Sequence, residues 1–125
     1  MKVAIIGYGY WGPNLLRNFW KNSNFQVTYV VDLQQSRLNL VKRDYPTITT
    51  STNYEDVIND SSIDCIVIAT PVYSHYKLAK QALKSNKHVL IEKPLTNSYR
   101  TSKELIDLAK RLKRVLIVDN TYLYT

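Results

Sequence analysis

Short apolar runs alternate along this chain with stretches whose apolar residues recur at helical spacing. Val3-Ala4-Ile5-Ile6 opens the series as a β-type run. Pro13 to Lys21 reads as a helix, with Leu15, Leu16 and Phe19 on one side. Val27 to Val31 reads as a second strand, and Gln34 to Asp44 as a helix that buries Leu38 and Val41. Pro46 to Thr49 fits a short third strand and Tyr54 to Asn59 a short helix. Cys65 to Ala69 is a strand without polar interruption. Ser74 to Ser85 is a helix with Ser74 at its N-cap. His88 to Ile91 is a further strand, Ser98 to Leu112 the longest helix, and Val115 to Val118 the last strand.

Strand and helix therefore alternate, and the strands are apolar on both faces. Strands buried on both sides belong to a parallel sheet covered above and below by helices. Right-handed crossovers then give an α/β, doubly wound parallel sheet, a Rossmann-type fold of about six strands with helices on both faces. At 125 residues the chain suits one domain, spanning 1–120. Residues 121–125 read as the start of a connection to a second domain, because the apolar, aromatic ending Asn120-Thr-Tyr-Leu-Tyr-Thr125 is an unusual place for a finished domain to stop.

Composition narrows the function. No apolar run reaches membrane-spanning length, and the start of the chain lacks a signal-peptide pattern. The single cysteine, Cys65, excludes an internal disulfide framework, fits a reducing cytoplasm and reads as a buried structural thiol. The net charge of +7 is concentrated in the second half. Lys77, Lys80, Lys84 and Lys87 recur at helical spacing and read as one solvated stripe. No aromatic-interleaved, zinc-finger or RNA-recognition signature accompanies them, so no nucleic-acid partner is expected. No metal-ligand spacing is present either.

The chemistry begins at Gly7-Tyr8-Gly9-Tyr10-Trp11-Gly12, set between a strand and a helix. Gly7 allows the tight turn, Gly9 lets the backbone approach a pyrophosphate, and Gly12 lets the helix pack on the strand. Free N–H groups at the positive helix end favour a phosphate anion. Tyr10 and Trp11 are expected to pack over the loop, with stacking on cofactor or substrate as their other use. Asp32 ends the second strand twenty positions past Gly12, the place of a carboxylate that bonds adenosine ribose hydroxyls. That carboxylate would repel a 2′-phosphate, so NAD is expected over NADP. Asp32 also fits a helix cap. Arg37, the nearby cation, is expected to face water.

Two proline turns follow the next strands: Ala69-Thr70-Pro71 and Glu92-Lys93-Pro94. They lie at strand carboxyl ends, where open α/β sheets bind ligands. Taken in order, GYGYWG, ATPVYSH and EKP resemble the N-terminal domain of the glucose–fructose oxidoreductase, inositol dehydrogenase and rhizopine-catabolism (Gfo/Idh/MocA) family, over essentially the whole chain. That resemblance implies an NAD(P)-dependent dehydrogenase of sugars, cyclitols or nucleotide-sugars. It also implies a second domain that supplies most of the substrate pocket, and a homo-oligomer. The phrase Gly-Tyr-Trp-Gly-Pro-Asn is similar to relatives that act on nucleotide-sugars.

Carried over by motif, the resemblance makes Lys93 the catalytic lysine. The chemistry agrees, since oxidising an alcohol with NAD⁺ sends a hydride to the nicotinamide and a proton to a base. Thr70 and Pro71 match residues lining the nicotinamide side. His75 either touches cofactor or substrate or merely packs. Glu92 either bonds a ribose hydroxyl or orients Lys93. His88 reads as structural. The family's other catalytic residues, an Asp and a His four apart, belong to the second domain and have no counterpart here. The expected role of the chain alone is cofactor binding without turnover. The alternatives are a stand-alone NAD-sensing module, which needs no base beside the nicotinamide, and a flavodoxin-like domain, which would lack Asp32.

Overall fold

The computed structural model describes residues 1–119. The connection expected at 121–125 lies outside the described residues. Six strands alternate with five helices: β1 Lys2–Ile6, α1 Gly12–Lys21, β2 Gln26–Val31, α2 Gln35–Asp44, β3 Thr49–Ser51, α3 Glu55–Ile58, β4 Cys65–Ile68, α4 His75–Lys84, β5 His88–Glu92, α5 Tyr99–Leu112 and β6 Leu116–Asp119. All neighbouring strands run parallel, in the order β3-β2-β1-β4-β5-β6. This is the doubly wound order, in which the chain reverses its direction of travel between β1 and β4.

The pleat decides which side chain meets which layer. In β1, Val3 and Ile5 pack with Leu15, Leu16, Leu38 and Val41 of α1 and α2. Ala4 and Ile6 face the other way, with Leu78, Ala82, Leu83, Leu105 and Leu108 of α4 and α5. Cys65 and Val67 of β4 follow the first set and Ile66 and Ile68 the second. The alternation breaks in β2. Val3 pairs with Val27 but Ala4 pairs with Tyr29, so Thr28 is an extra, bulged residue. The bulge returns Val30 to the face of Val27, and leaves the buried Thr28 hydroxyl without a hydrogen-bond partner among the described residues.

Three expectations need correction. The third strand is Thr49–Ser51 rather than Pro46–Thr49, because it begins only where the chain reaches Tyr29 of β2. Ser74 does not cap α4. A 3-10 turn, Val72–Ser74, precedes the helix, and the Ser74 hydroxyl donates back to the Pro71 carbonyl. Lys87 is not on a solvated stripe. The helix stops at Lys84, Asn86 turns the chain at φ 63°, and Lys87 is 3% exposed with its ammonium donating to the Asp60 and Ile63 carbonyls. By contrast, Ser98 caps α5 as the pattern of that helix implies, its hydroxyl accepting from the Thr101 N–H. Among the described residues no helix is long and apolar enough to cross a membrane.

Cys65 is buried, and burial pushes its thiol up to about 11 from an ordinary 9.0, with Asp64 adding to the push. A raised folded pKa means that the stability is fully present below pH 9 and is lost as pH climbs toward 11. A shift of that size corresponds to about 3 kcal/mol. Thermal melts at pH 8 and pH 11 are expected to show a steeper alkaline loss in the wild type than in Cys65→Ala, by about 2–3 kcal/mol. Equal pH dependence in the two proteins would contradict this.

Candidate functional site

The site forms where β1, β2, β4 and β5 end. Gly7 leaves β1 at φ +101°, a conformation that costs glycine little and other residues much. A Cβ there would also stand 2.7 Å from the Ala69 carbonyl oxygen. The turn is thus pressed against the end of β4, and the Gly7 N–H donates to the Val31 carbonyl of β2 at 2.7 Å. A Cβ on Gly12 would come within 2.5 Å of the Gly7 carbonyl oxygen, so α1 starts directly against the turn.

Gly9 differs. Its missing Cβ would meet the flexible Arg37 guanidinium at 3.4 Å, and no backbone. Packing within the chain therefore does not demand glycine at this position.

Asp32 follows β2 and is 6% exposed. One carboxylate oxygen accepts the Tyr8 N–H at 2.8 Å, and the other accepts the Gln34 N–H at 2.8 Å. The carboxylate thereby joins the glycine loop to the start of α2. Arg37 does not turn to water. Its guanidinium lies 3.5 Å from Asp32 with its side chain 42% exposed. One turn into α2 it is close enough to fold back on the buried charge, and the bare side of Gly9 leaves it room.

The two aromatics of the loop part company. Trp11 is half-buried against the α1–α2 core. Tyr10 does not pack over the loop. It is 85% exposed and meets Trp11 edge to face at 4.7 Å. The inward place is taken by Tyr8, whose ring is buried and whose phenol burial pushes up in pKa. The sequence reading missed Tyr8. Its signal was an aromatic directly after Gly7, whose positive φ breaks the alternation of β1 and puts Tyr8 with Val3 and Ile5.

The second half of the rim gathers Thr70, Pro71, His75, Glu92 and Lys93. The Thr70 hydroxyl pairs with that of Ser74 at 2.6 Å. His75 is 1% exposed, and its ring nitrogens face the carbonyls of Thr70, Pro94 and Leu95. Glu92 is 5% exposed and pairs across the sheet with Asp119. Their carboxyl groups are hydrogen-bonded, and burial pushes Asp119 up from its usual range more than that bond lowers it. Lys93 is half-buried, its N–H donates to the Asp119 carbonyl, and the Lys93–Pro94 peptide is cis. A hydroxyl cluster of Thr96, Ser98, Thr101 and Ser102 then closes the turn into α5, a feature that the sequence reading did not single out. His88 lies at the opposite end of β5, where its Nδ1 accepts the Val115 N–H.

The candidate cofactor-binding and catalytic residues therefore lie on the carboxyl rim, in two groups: a backbone-amide loop with a buried carboxylate, and a titratable cluster beside it. The rim is an open shelf. Grooves lie elsewhere, one of about 250 Å³ between α5 and β6. Among the described residues no set of three or more His, Cys, Asp or Glu gathers as a metal site.

Comparison with known proteins agrees with this arrangement. Residues 1–120 match a family model described as an oxidoreductase family with an NAD-binding Rossmann fold. The Escherichia coli oxidoreductase YdgJ is 39% identical over 118 residues, 94% of this chain and 34% of that protein. An inositol 2-dehydrogenase/D-chiro-inositol 3-dehydrogenase of Lactiplantibacillus plantarum is 30% identical over 93% of this chain and 34% of its own length. Among solved structures, biliverdin reductase from Synechocystis with biliverdin and NADP⁺ superposes with a TM-score of 0.92 at 27% identity, covering 98% of this chain and 39% of that one. The chain thus spans about a third of the length of the relatives it matches.

The three glycines should respond differently to one added methyl. Gly7→Ala and Gly12→Ala are expected to destabilise the chain by about 2 kcal/mol or more, since each drives a carbon into backbone. Gly9→Ala should melt within a few degrees of wild type yet lose most of its NADH affinity. Calorimetric melts paired with NADH titration would check this, and a Gly9→Ala chain binding normally would remove the argument for the cradle.

Proposed function

The chain belongs to the Gfo/Idh/MocA oxidoreductase family as its NAD(P)-binding Rossmann domain, and on that premise we propose that it is the cofactor-holding part of an NAD-dependent dehydrogenase. The longer polypeptide would move a hydride between nicotinamide and a hydroxyl of a sugar, cyclitol or nucleotide-sugar. The observation that carries this reading is the bare side of Gly9, held between a rigid turn and a buried carboxylate.

The residues present fit the dinucleotide. With the Gly7 and Tyr8 N–H groups already engaged, the amides of Gly9 to Gly12 at the start of α1 offer donors to its diphosphate. Tyr8 N–H and Gln34 N–H each take one lone pair of the Asp32 carboxylate. A carboxylate accepts about four bonds, so capacity remains for two sugar hydroxyls. A phosphate in their place would meet a buried negative charge. Arg37 beside Asp32 softens that repulsion without abolishing it. Trp11 walls the loop, and Tyr10 stands free at its lip.

When bound, the nicotinamide accepts or returns the hydride. What remains for the chain is the proton. Lys93 is anchored through its backbone N–H to Asp119, so its side chain starts from a fixed point on the rim. In its neutral form its amine takes the proton of the substrate hydroxyl on oxidation, and it returns the proton on reduction. Buried Glu92 is hydrogen-bonded to Asp119, whose carbonyl accepts the Lys93 N–H, and so steadies the strand end from which Lys93 projects. Thr70 and Pro71 line the nicotinamide side, and His75 stands directly behind them. The substrate pocket and the remaining catalytic groups belong to a second domain, so the 125-residue chain alone binds cofactor and does not turn over.

Fluorescence titration of the chain is expected to show NADH binding about tenfold tighter than NADPH. Asp32→Ala should erase that difference and lower the melting temperature, since it also removes the acceptor of two backbone amides. Tighter binding of NADPH by the wild type would overturn the cofactor assignment. No binding of either would overturn the function.

A further inference from the structure

The ladder between β4 and β5 ends at the pair Ile68–Ile91. Past that point the two chains bond to different neighbours. The Ala69 N–H donates toward β1, to Ile6, and the Lys93 N–H donates toward β6, to Asp119. The two turns that carry Thr70-Pro71 and Lys93-Pro94 are therefore no longer tied to each other by the ladder. His75 crosses the gap. Its Nε2 stands 2.8 Å from the Thr70 carbonyl oxygen, and its Nδ1 stands 2.9 Å from that of Pro94 and 3.3 Å from that of Leu95. All three partners are main-chain carbonyls, which only accept, so the ring donates from whichever nitrogen carries the hydrogen and packs its other nitrogen against the carbonyl of the opposite turn. The ring is 1% exposed, at the first position of α4, and the Ser74 hydroxyl beside it holds the side chain of Thr70 and the carbonyl of Pro71. The ring spans the two turns, and the hydroxyl ties the Thr70-Pro71 turn to the start of α4.

We propose that His75 is a positioning residue for the nicotinamide half of the dinucleotide, setting the spacing between the Thr70-Pro71 turn and the Lys93-Pro94 turn. The proposal rests on the dinucleotide reading and goes beyond it in one respect: His75 acts from behind the site, through backbone carbonyls, without touching cofactor or substrate. The adenosine half is held by a different set, Gly7 to Gly12 and Asp32, which shares no hydrogen bond with His75 among the described residues. A packing histidine would support both halves alike through general stability. A strut between the two right-hand turns supports only the half that lies over them.

Two ligands separate these roles. ADP-ribose carries the adenosine half and the diphosphate but lacks nicotinamide, whereas NADH carries all of them. Calorimetric titration of the 125-residue chain with each is expected to give, for His75→Phe, about tenfold weaker NADH binding and less than twofold change for ADP-ribose. His75→Gln, which restores an N–H donor, should recover part of the NADH affinity. Equal weakening of both ligands, or no weakening of either, overturns the proposal. Should His75→Phe fail to fold, the wild-type ring decides: its ¹H–¹⁵N signals are expected to shift with NADH and stay still with ADP-ribose, and an equal response to both overturns the strut. A wild type that binds ADP-ribose and NADH while the variants match it leaves the dinucleotide reading standing and removes only the role of His75. A wild type that binds neither removes both.

Discussion

The architecture of the site depends on one contact, the approach of the β1 turn to the end of β4. At Gly7 the backbone stands so near the Ala69 carbonyl that a single methyl would lie at 2.7 Å from it. This is the switch point of the sheet, where one strand leads its chain leftward to β2 and its neighbour leads rightward to β5. The opening between diverging connections is kept narrow by that glycine and is stitched on either side. Gly7 N–H donates to Val31 on β2, and Ala69 N–H donates to Ile6 on β1. Three strand ends are thereby tied together, with the Gly7 amide engaged by β2 and the Tyr8 amide by Asp32.

Asp32 shows how a ligand group becomes part of the frame. A buried carboxylate is costly unless it is bonded, and its two amide partners come from segments that would otherwise drift: the glycine loop and the start of α2. The same oxygens that would hold ribose hydroxyls therefore also hold the loop that cradles the diphosphate. Cofactor choice in this chain is tied to stability as a result. A residue that merely removed the negative charge to admit a 2′-phosphate would leave two buried N–H groups without an acceptor, at a cost of about 1–3 kcal/mol each. Asparagine or serine at this position would keep an acceptor, so these are the substitutions through which specificity could change without loosening the loop. Arg37, already beside Asp32, is placed to serve either arrangement.

The sequence made legible what periodicity and backbone chemistry control. The runs Val3–Ile6 of β1 and Cys65–Ile68 of β4 are apolar at every position because both faces of those strands meet helices, and the strand–glycine–helix order around Gly7 admits few other folds. What stayed hidden was set by the length of a helix or by a partner distant in sequence. Lys87 continues the spacing of Lys77, Lys80 and Lys84, yet α4 stops before it, and the carbonyls that hold its ammonium lie some 25 residues upstream. Arg37 looked solvent-facing because no local pattern reveals that a glycine beside it leaves room. Tyr8 and Tyr10 are the same residue type two positions apart, and no periodicity within the loop tells which packs inward and which stays exposed. His75 was left between two roles for the same reason: its partners at 94 and 95 become visible only when the sheet is assembled.

The two halves of the rim divide their labour by the kind of polar group they expose. The left half, around Gly7 to Gly12, offers backbone amides, which carry no titratable proton and present a fixed partial positive charge. Such groups suit a diphosphate, whose charge does not change in a hydride transfer. The right half, around Glu92, Lys93 and Asp119, offers groups that gain and lose protons, two of them carboxyls in contact and one raised by burial. Those suit an alcohol, whose proton must leave as the hydride does. A boundary of this kind needs its right side held at a set distance from its left, because charge fixed on one side and charge moving on the other interact through a poorly screened interior. The β1–β4 contact fixes the left. On the right the ladder has already ended, so the spacing falls to groups that reach across between turns, and His75 is the buried side chain that the fold supplies there.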